Sequence, residues 1–262
     1  MTGKVKTDDT MARYRFTQIR LFVDTDLAEG TDVALGKDQT TYLITVMRLQ
    51  TGAEILVFNG RDGEWTALLA SASRKSAVLT IKDQLRPQTP APRLTYCFAP
   101  LKHARLDYMV QKATEMGVGR LVPVLTQHSQ VSRMNLDRMR ANVIEACEQC
   151  GVLSVPEIVA PLPFIDFINR LDDLSADHIV LFCDEDAQHR SPLAVLNALQ
   201  PGPVTLLVGP EGGFSRNERD ALRARPSVVA VSLGPRILRA DTAAVAALAV
   251  VQASIGDWDS DI

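Results

Sequence analysis

The alternation of apolar and polar positions changes character once along the chain. From Ile19 to about Leu85, short β-branched and apolar runs ("IRLFV", "YLITVMRL", "EILVFNG", "WTALLA" and "AVLTI") are broken by turn residues. Gly30, Gly36 and Gly52 fall between runs, and "NGRDGE" at Asn59 to Glu64 adds an Asn-Gly turn signal with a second glycine close behind. This texture predicts a small β-barrel or sandwich. Arg86 to Arg93, "RPQTPAPR", holds three prolines and no apolar periodicity, which predicts a linker. Beyond it strand-like and helix-like stretches alternate. "LTYCFAP" precedes a helix from about Leu106 to Met116; "RLVPVLT" precedes one from about Asn135 to Cys150. "HIVLFCD", "PLAVLNAL", "VTLLVG", "RNERDALRA", "VVAVSLG" and "TAAVAALAVVQASI" continue the series. Strand followed by helix, repeated, predicts a parallel sheet with helices on its faces. The expected divisions are a tail at 1–16, or a start upstream of the true one at Met11, a barrel domain at 17–86 and an α/β domain at 92–262.

In open parallel sheets ligands gather beyond the carboxyl ends of the strands. That rule singles out the loops after Phe182, after Val208 and after Leu233. The second reads "VGPEGGFSRNE", Val208 to Glu218. Ser215 and Glu218 fit a capping box, so a helix is expected to begin there. Gly209, Gly212 and Gly213 either make a tight strand-to-helix turn or let a ligand approach bare backbone. No phosphate-loop or dinucleotide fingerprint is present, and Glu211 would repel a phosphate. A neutral or cationic ligand suits the loop better. The third loop, "SLGPRILRADTA", carries Arg236 and Arg239 beside a strand end. These arginines either meet an anion or form a salt bridge such as Arg239 with Asp241. Asp241 or Thr242 is expected to cap a closing Ala/Val helix, which must be buried in the chain or against a partner.

Composition narrows the class. The chain has 262 residues, 46% hydrophobic and 23% charged, enough for one large or two modest domains. Four cysteines are too sparse for a disulfide scaffold, and no secretory signal precedes them, which points to the cytosol. The longest apolar run, Ala243 to Val251, falls short of the roughly 20 residues that a bilayer span needs, so no membrane span is expected. Residues 1 to 160 carry 20 Lys+Arg against 17 Asp+Glu, and residues 161 to 262 carry 8 against 14. The mildly basic front fits contact with a polyanion. Cys147 and Cys150 have CxxC spacing on a predicted helix without a second pair, and His103, His128, His178 and His189 lack ligand spacing, so no metal is expected. No serine sits in a nucleophile elbow, which leaves hydrolase chemistry unsupported.

Read together, "GPEGGFSRNE" and "LGPRILRADTA" resemble the paired C-terminal motifs of the bacterial ribosomal small-subunit RNA methyltransferase E family, in the SPOUT superfamily. The resemblance extends to Asp107 to Ser129, to "IEACEQCG" with "VPEI", and to "VMRLQTGAEILVFNG". It implies a PUA-like β-barrel for RNA, followed by a trefoil-knotted α/β domain that binds S-adenosyl-L-methionine and forms a homodimer through the closing helix. The implied reaction is methylation at N3 of one uridine of 16S rRNA, in the decoding region of the small ribosomal subunit. Phe182, Val208, Gly209, Pro210, Glu211, Gly212, Leu233, Gly234, Ile237 and Leu238 are the expected donor site. Arg236 or Arg239 would stabilise charge on the uracil oxygens, and Glu211 or water would accept the proton. Arg20, Arg48, Lys102, Arg105 and Lys112 are the expected RNA contacts. The chain departs from the family pattern at Thr41 and Tyr42, where histidines are usual, at Met139, at Val152 and at Asp241.

Overall fold

The computed structural model describes residues 18–131, 133–187, 191–198 and 202–258. The expected tail and His189 lie outside them. The chain divides into two units between Pro90 and Ala91, within the proline-rich segment.

The first unit carries five strands: β1 (Arg20–Phe22), β2 (Asp32–Ala34), β3 (Glu54–Phe58), β4 (Glu64–Ala72) and β5 (Ala77–Arg86). They lie in the order β1-β3-β4-β5-β2, with β1 parallel to β3 and the other pairs antiparallel. Ile55 and Val57, Ala67 and Leu69, and Leu79 and Ile81 alternate inward into one apolar core. Such two-residue spacing is what a sheet with one buried face demands, and each buried leucine or isoleucine contributes about 1.5–3 kcal/mol. The turn between β3 and β4 is held by Asn59, whose Oδ1 accepts the amides of Arg61 and Asp62 at 3.0 and 2.8 Å.

Two expectations for this unit are corrected. "YLITVMRL" is not a strand: α1 (Lys37–Thr40) runs directly into a π-helical segment, Thr41–Val46. Gln39 Oε1 accepts the Gly36 amide at 3.0 Å and the Thr40 amide donates to the Gly36 carbonyl at 2.9 Å, which starts the helix. Thr40 and Leu43 are then buried three apart with Ile44 packed beside them, so helical spacing overrides the β-branched composition. The second correction concerns Arg20, expected to meet RNA. Its side chain is only 4% exposed, and its Nε donates to Glu64 Oε1 at 2.6 Å. Arg86 Nε donates to the other Glu64 oxygen at 2.8 Å. Arg20 is thus an internal partner of a buried carboxylate.

The second unit contains β6 (Leu94–Phe98), α2 (His103–Glu115), β7 (Arg120–Leu125), α3 (Leu136–Cys150), β8 (Glu157–Ile158), β9 (Leu162–Pro163) and α4 (Phe164–Leu171). It continues through β10 (Ile179–Cys183), α5 (Pro192–Leu196), β11 (Val204–Val208), α6 (Arg216–Arg223), β12 (Val228–Val231) and α7 (Ala240–Ile255). The strand order is β12-β10-β11-β6-β7-β8, all pairs parallel, with β9 on β7. Central β11 is buried at every position, as a strand covered on both faces must be.

Local chemistry sets the helix ends. Asn135 Oδ1 accepts the Arg138 amide at 2.9 Å to open α3, and Gly151, at φ 75°, closes it in a left-handed conformation. At α7 neither Asp241 nor Thr242 is the cap. The helix begins at Ala240 with Arg239 in the cap position, so the Asp241 carboxylate lies inside the first turn. Ala243, Ala244, Ala247, Leu248 and Val251 turn inward, and Gln252 Nε2 donates to the Met116 carbonyl at 2.6 Å. Val245, Ala246 and Ala249 stay half-buried, as does Val250, which lines a small cavity with Pro192 and Leu196 of α5. Met139, a departure from the family pattern, is buried in α3 and therefore belongs to packing rather than to an RNA surface.

Replacing Arg20 with alanine leaves Glu64 buried with its charge less fully compensated. The expected loss is about 3 kcal/mol of stability in urea unfolding of the barrel unit, whereas unchanged unfolding would contradict the internal role.

Candidate active site

The register of the sheet brings strand ends together. Cys183 of β10 lies opposite both Val208 of β11 and Val231 of β12, so their following loops leave from one edge. These loops, with α5 and the start of α7, enclose a cleft of about 750 Å³. Val208, Gly209, Pro210, Glu211, Leu233, Gly234, Ile237 and Leu238 line it together with Arg236. Two expected donor residues do not. Phe182 is wholly buried, packed edge-on against Phe214 at 5.0 Å, and backs the wall from behind. Gly212 turns instead toward His128, whose Nδ1 lies 3.1 Å from the Gly212 and Gly213 carbonyls. Arg239 is exposed at the head of α7 and lies outside the lining. Neither Arg236 nor Arg239 forms an ion pair among the described residues, Asp241 included.

The glycines of the second loop have packing reasons. A Cβ on Gly209 would sit 2.5 Å from Phe214 Cε2. Gly213 has φ 67°, and a Cβ there would sit 2.6 Å from Glu185 Oε1. Gly234 has φ 104° and nothing within 4 Å of its missing side chain, so it turns the chain beside open space.

The capping box at Ser215 forms, and Glu218 does more than cap. Its Oε2 accepts the Ser215 amide at 2.8 Å while its Oε1 accepts the Gln127 amide at 2.7 Å. The buried carboxylate therefore fastens the loop after β7 to the loop after β11. Sequence reasoning assigned Glu218 only to the cap, because nothing local announces a partner 91 residues away.

The cleft joins charged groups to apolar surface, with Arg219 and Arg236 in its lining beside carboxylates. Asp184, Glu185 and Glu211 contribute carboxylates, and Leu193, Leu233, Pro235, Ile237 and Leu238 contribute apolar surface. Ile237 is 91% exposed, an unusual state for so large an apolar side chain. Glu211 Oε1 accepts from Arg105 Nη1 at 2.9 Å, which ties α2 to the second loop. Lys102 is exposed at the head of α2, while Lys112 pairs with Glu115 at 2.7 Å and lies 5.7 Å from the Tyr108 ring centre. Arg48, in the first unit, is exposed with φ 55°.

Two of the cysteines are held as thiols. Burial, with Asp184 adding to it, pushes the Cys183 thiol up to about 12, and burial first, then Cys150 and Glu148, does the same to Cys147. A thiol held so high is almost wholly protonated at neutral pH and a poor nucleophile. No cluster of three or more metal-ligating side chains occurs among the described residues.

Two outcomes follow from this geometry. Glu218→Ala strands two amides and is expected to cost about 3 kcal/mol in thermal or urea unfolding, against no measurable change if the carboxylate were only a surface cap. Cys183 is expected to alkylate with iodoacetamide at pH 7.5 far more slowly than free cysteine, and rapid labelling of the folded chain would contradict its protonated state.

Comparisons with known proteins agree with one another. Residues 87–252 match the RNA methyltransferase domain and residues 35–82 the RNA methyltransferase PUA domain. The ribosomal RNA small subunit methyltransferase E of Rickettsia conorii is 31% identical over 89% of this chain and 94% of its own length. Its counterpart in Synechocystis is 32% identical over 89% of this chain and 77% of its own. Among solved structures, the Neisseria gonorrhoeae ribosomal RNA small subunit methyltransferase E bound to S-adenosyl methionine superposes with a TM-score of 0.79 at 27% identity. It covers 92% of this chain and 99% of its own. A methyltransferase from Legionella pneumophila with bound cofactor SAM gives the same TM-score and coverage at 28% identity. With both of its units matched and its full-length relatives bearing one name, this chain belongs to the ribosomal RNA small subunit methyltransferase E family.

Proposed function

We propose that this protein methylates N3 of one uridine in 16S rRNA, within the decoding region of the small ribosomal subunit, using S-adenosylmethionine held in the cleft at the sheet's carboxyl edge. The observation that carries the reading is the cleft itself. Its volume of about 750 Å³ suits a ligand of that size. Val208, Leu233 and Leu238 offer an apolar wall to a purine, and the exposed Ile237 gains cover from a ligand beside it. Asp184, Glu185 and Glu211 suit a ligand with cationic centres, which resolves the presence of a carboxylate in a glycine loop.

When bound, S-adenosylmethionine supplies an electrophilic methyl group on a sulfonium. The protein's own task is to present N3 of uracil as a nucleophile, since N3 holds a weakly acidic proton. Arg236, at the cleft, and Arg239, at the head of α7, are available to stabilise negative charge on the uracil oxygens. Glu211, or water, takes the N3 proton, and Arg105 sets the direction of that carboxylate. Enclosure between the loops would align the methyl group of a bound donor with N3 of the uracil.

In the same reading the barrel domain, 17–86, binds RNA and the 92–262 domain catalyses. Arg48 and Lys102, exposed and in no ion pair among the described residues, meet phosphates; Arg105 and Lys112 join them with charge shared with Glu211 and Glu115. The trefoil knot and a homodimer through α7 belong to the proposal as well. The dimer is supported by Val245, Ala246 and Ala249, apolar residues of α7 that stay only half-buried. The work is set in the cytosol, where small subunits are found.

Mass mapping of modified nucleotides in small-subunit RNA from cells lacking the protein is expected to lose one N3-methyluridine, restored by the wild-type gene; an unchanged map contradicts the assignment. Arg236→Ala and Arg239→Ala are each expected to lower turnover about 100-fold at saturating donor and RNA, and full turnover in both would remove them from catalysis. Charge reversal at Arg48, Lys102, Arg105 and Lys112 together is expected to weaken RNA binding and flatten its dependence on salt, whereas an unaltered salt slope would exclude these residues.

A further inference from the structure

The loop that follows β10 reads Asp184-Glu185-Asp186, three carboxylates in succession, the first two of which line the cleft. Left alone they repel one another, by about 1 kcal/mol per pair at 4 Å in water and by more where water is scarce. Helix α6 answers them with arginines one turn apart. Arg223 Nη2 donates to Asp184 Oδ2 at 2.5 Å, and that aspartate's side chain is only 1% exposed. Arg219 Nη2 donates to Glu185 Oε1 at 2.7 Å, and its Nη1 pairs with Asp186.

The two arginines divide the work. Arg219 Nε lies 3.9 Å from Asp184 and is buried with no hydrogen-bond partner. Its close bonds go instead to the two exposed members of the trio. Arg223 therefore anchors the root of the loop, and Arg219 directs its outer part. Arg219 is itself 17% exposed and lines the cleft together with Glu185. The pair sits against the second glycine loop: a Cβ on Gly213 would lie 2.6 Å from Glu185 Oε1 and 3.2 Å from Arg219 Nη2. Two walls of the cleft, from β10 and from β11, thus meet at one ion pair over a residue without a side chain.

We propose that Arg219 is a positioning residue for the methyl donor: acting through Glu185 and Asp186, it seats the loop after β10 on Gly213 and so sets the width of the donor cleft. The inference rests on the donor reading of that cleft. Arg219, Arg216 and Arg223 also edge a groove on the outer side of α6, which by itself suggests a phosphate track. The ion pairs argue against it, because Asp184, Glu185 and Asp186 take up two of the three charges.

Calorimetric titration of S-adenosylmethionine into the RNA-free, full-length protein tests the proposal, with Arg219→Ala, Arg219→Lys, Asp186→Asn and the Arg219→Ala/Asp186→Asn double variant beside the wild type. Asp186 is chosen because it pairs with Arg219 and lies outside the cleft lining, whereas Glu185 lines it. Arg219→Ala is expected to weaken donor affinity about tenfold and Asp186→Asn about threefold, with the double variant no weaker than Arg219→Ala. Arg219→Lys keeps the charge but not the fork that reaches two carboxylates, so it is expected to recover only part of the loss. Donor affinity unchanged in Arg219→Ala, with only a lower melting temperature, would overturn the positioning role and leave a structural one. Losses that multiply in the double variant would show that the two residues act separately and would also overturn it. Should Arg219→Ala fail to fold, Arg219→Lys and Asp186→Asn decide alone: both must weaken the donor. A wild-type protein that does not bind the donor would overturn the cleft reading and this inference with it, a result distinct from wild-type binding that the variants leave unaltered.

Discussion

The carboxylate of Glu218 is the tie on which the site depends. A parallel sheet sends its outgoing loops to one edge, but nothing in the strands holds those loops against one another. Glycine-rich loops are the least able to hold themselves, since glycine loses more backbone freedom on ordering than any other residue. Glu218 supplies the missing constraint. From the head of α6 it accepts one amide of its own loop and one from the loop after β7. Itself buried, it fastens the loop after β7, which lies outside the cleft lining, to the loop after β11, which forms part of it. His128 adds a second fastening across the same gap through the Gly212 and Gly213 carbonyls.

Beyond that tie the cleft is built by opposition. Its lining joins apolar side chains from the β12 loop to carboxylates from the β10 and β11 loops, a combination ill-suited to phosphate and well-suited to a flat ring that carries positive charge nearby. Arg236 and Arg219 share the lining, the first in no ion pair among the described residues and the second bound to carboxylates. Arg219 and Arg223 compensate the trio at Asp184 to Asp186, and Arg105 reaches Glu211 from α2. The acidic balance of the C-terminal part of the chain, which gave no clear message as a sum, is in part this local arrangement. Glu211 is the point where the two chemistries meet, since it lines the cleft while paired to a helix expected to face RNA.

What could be read in the sequence was whatever neighbouring residues decide among themselves. The capping box at Ser215, the Asn135 start of α3 and the glycine turns beside strand ends are local arrangements, and each is present in the structure. The expectations that failed had two causes, a local signal read wrongly and a partner distant in the chain. "YLITVMRL" has the composition of a strand, yet Gly36 and Gln39 start a helix whose spacing buries Thr40 and Leu43. Arg20 looked like a surface cation until Glu64, 44 residues on, was brought beside it. Phe182 was placed one residue too deep, because alternation along β10 sends it into the core and leaves Cys183 at the cleft. The acidic run "DED" and the arginines of α6 were both visible, but only the parallel pairing of β10 with β11 shows that they face each other. The family resemblance covered what periodicity could not, above all the identity of the methyl donor.

Crystals of the protein grown with S-adenosylmethionine measure the central claim directly. The account predicts electron density for the donor between the Gly209 to Gly213 loop and Leu233 to Leu238, with its cationic centres toward the carboxylates of the cleft. Density at any other place on the chain, or a cleft closed by packed side chains while the donor is present at saturation, would contradict it.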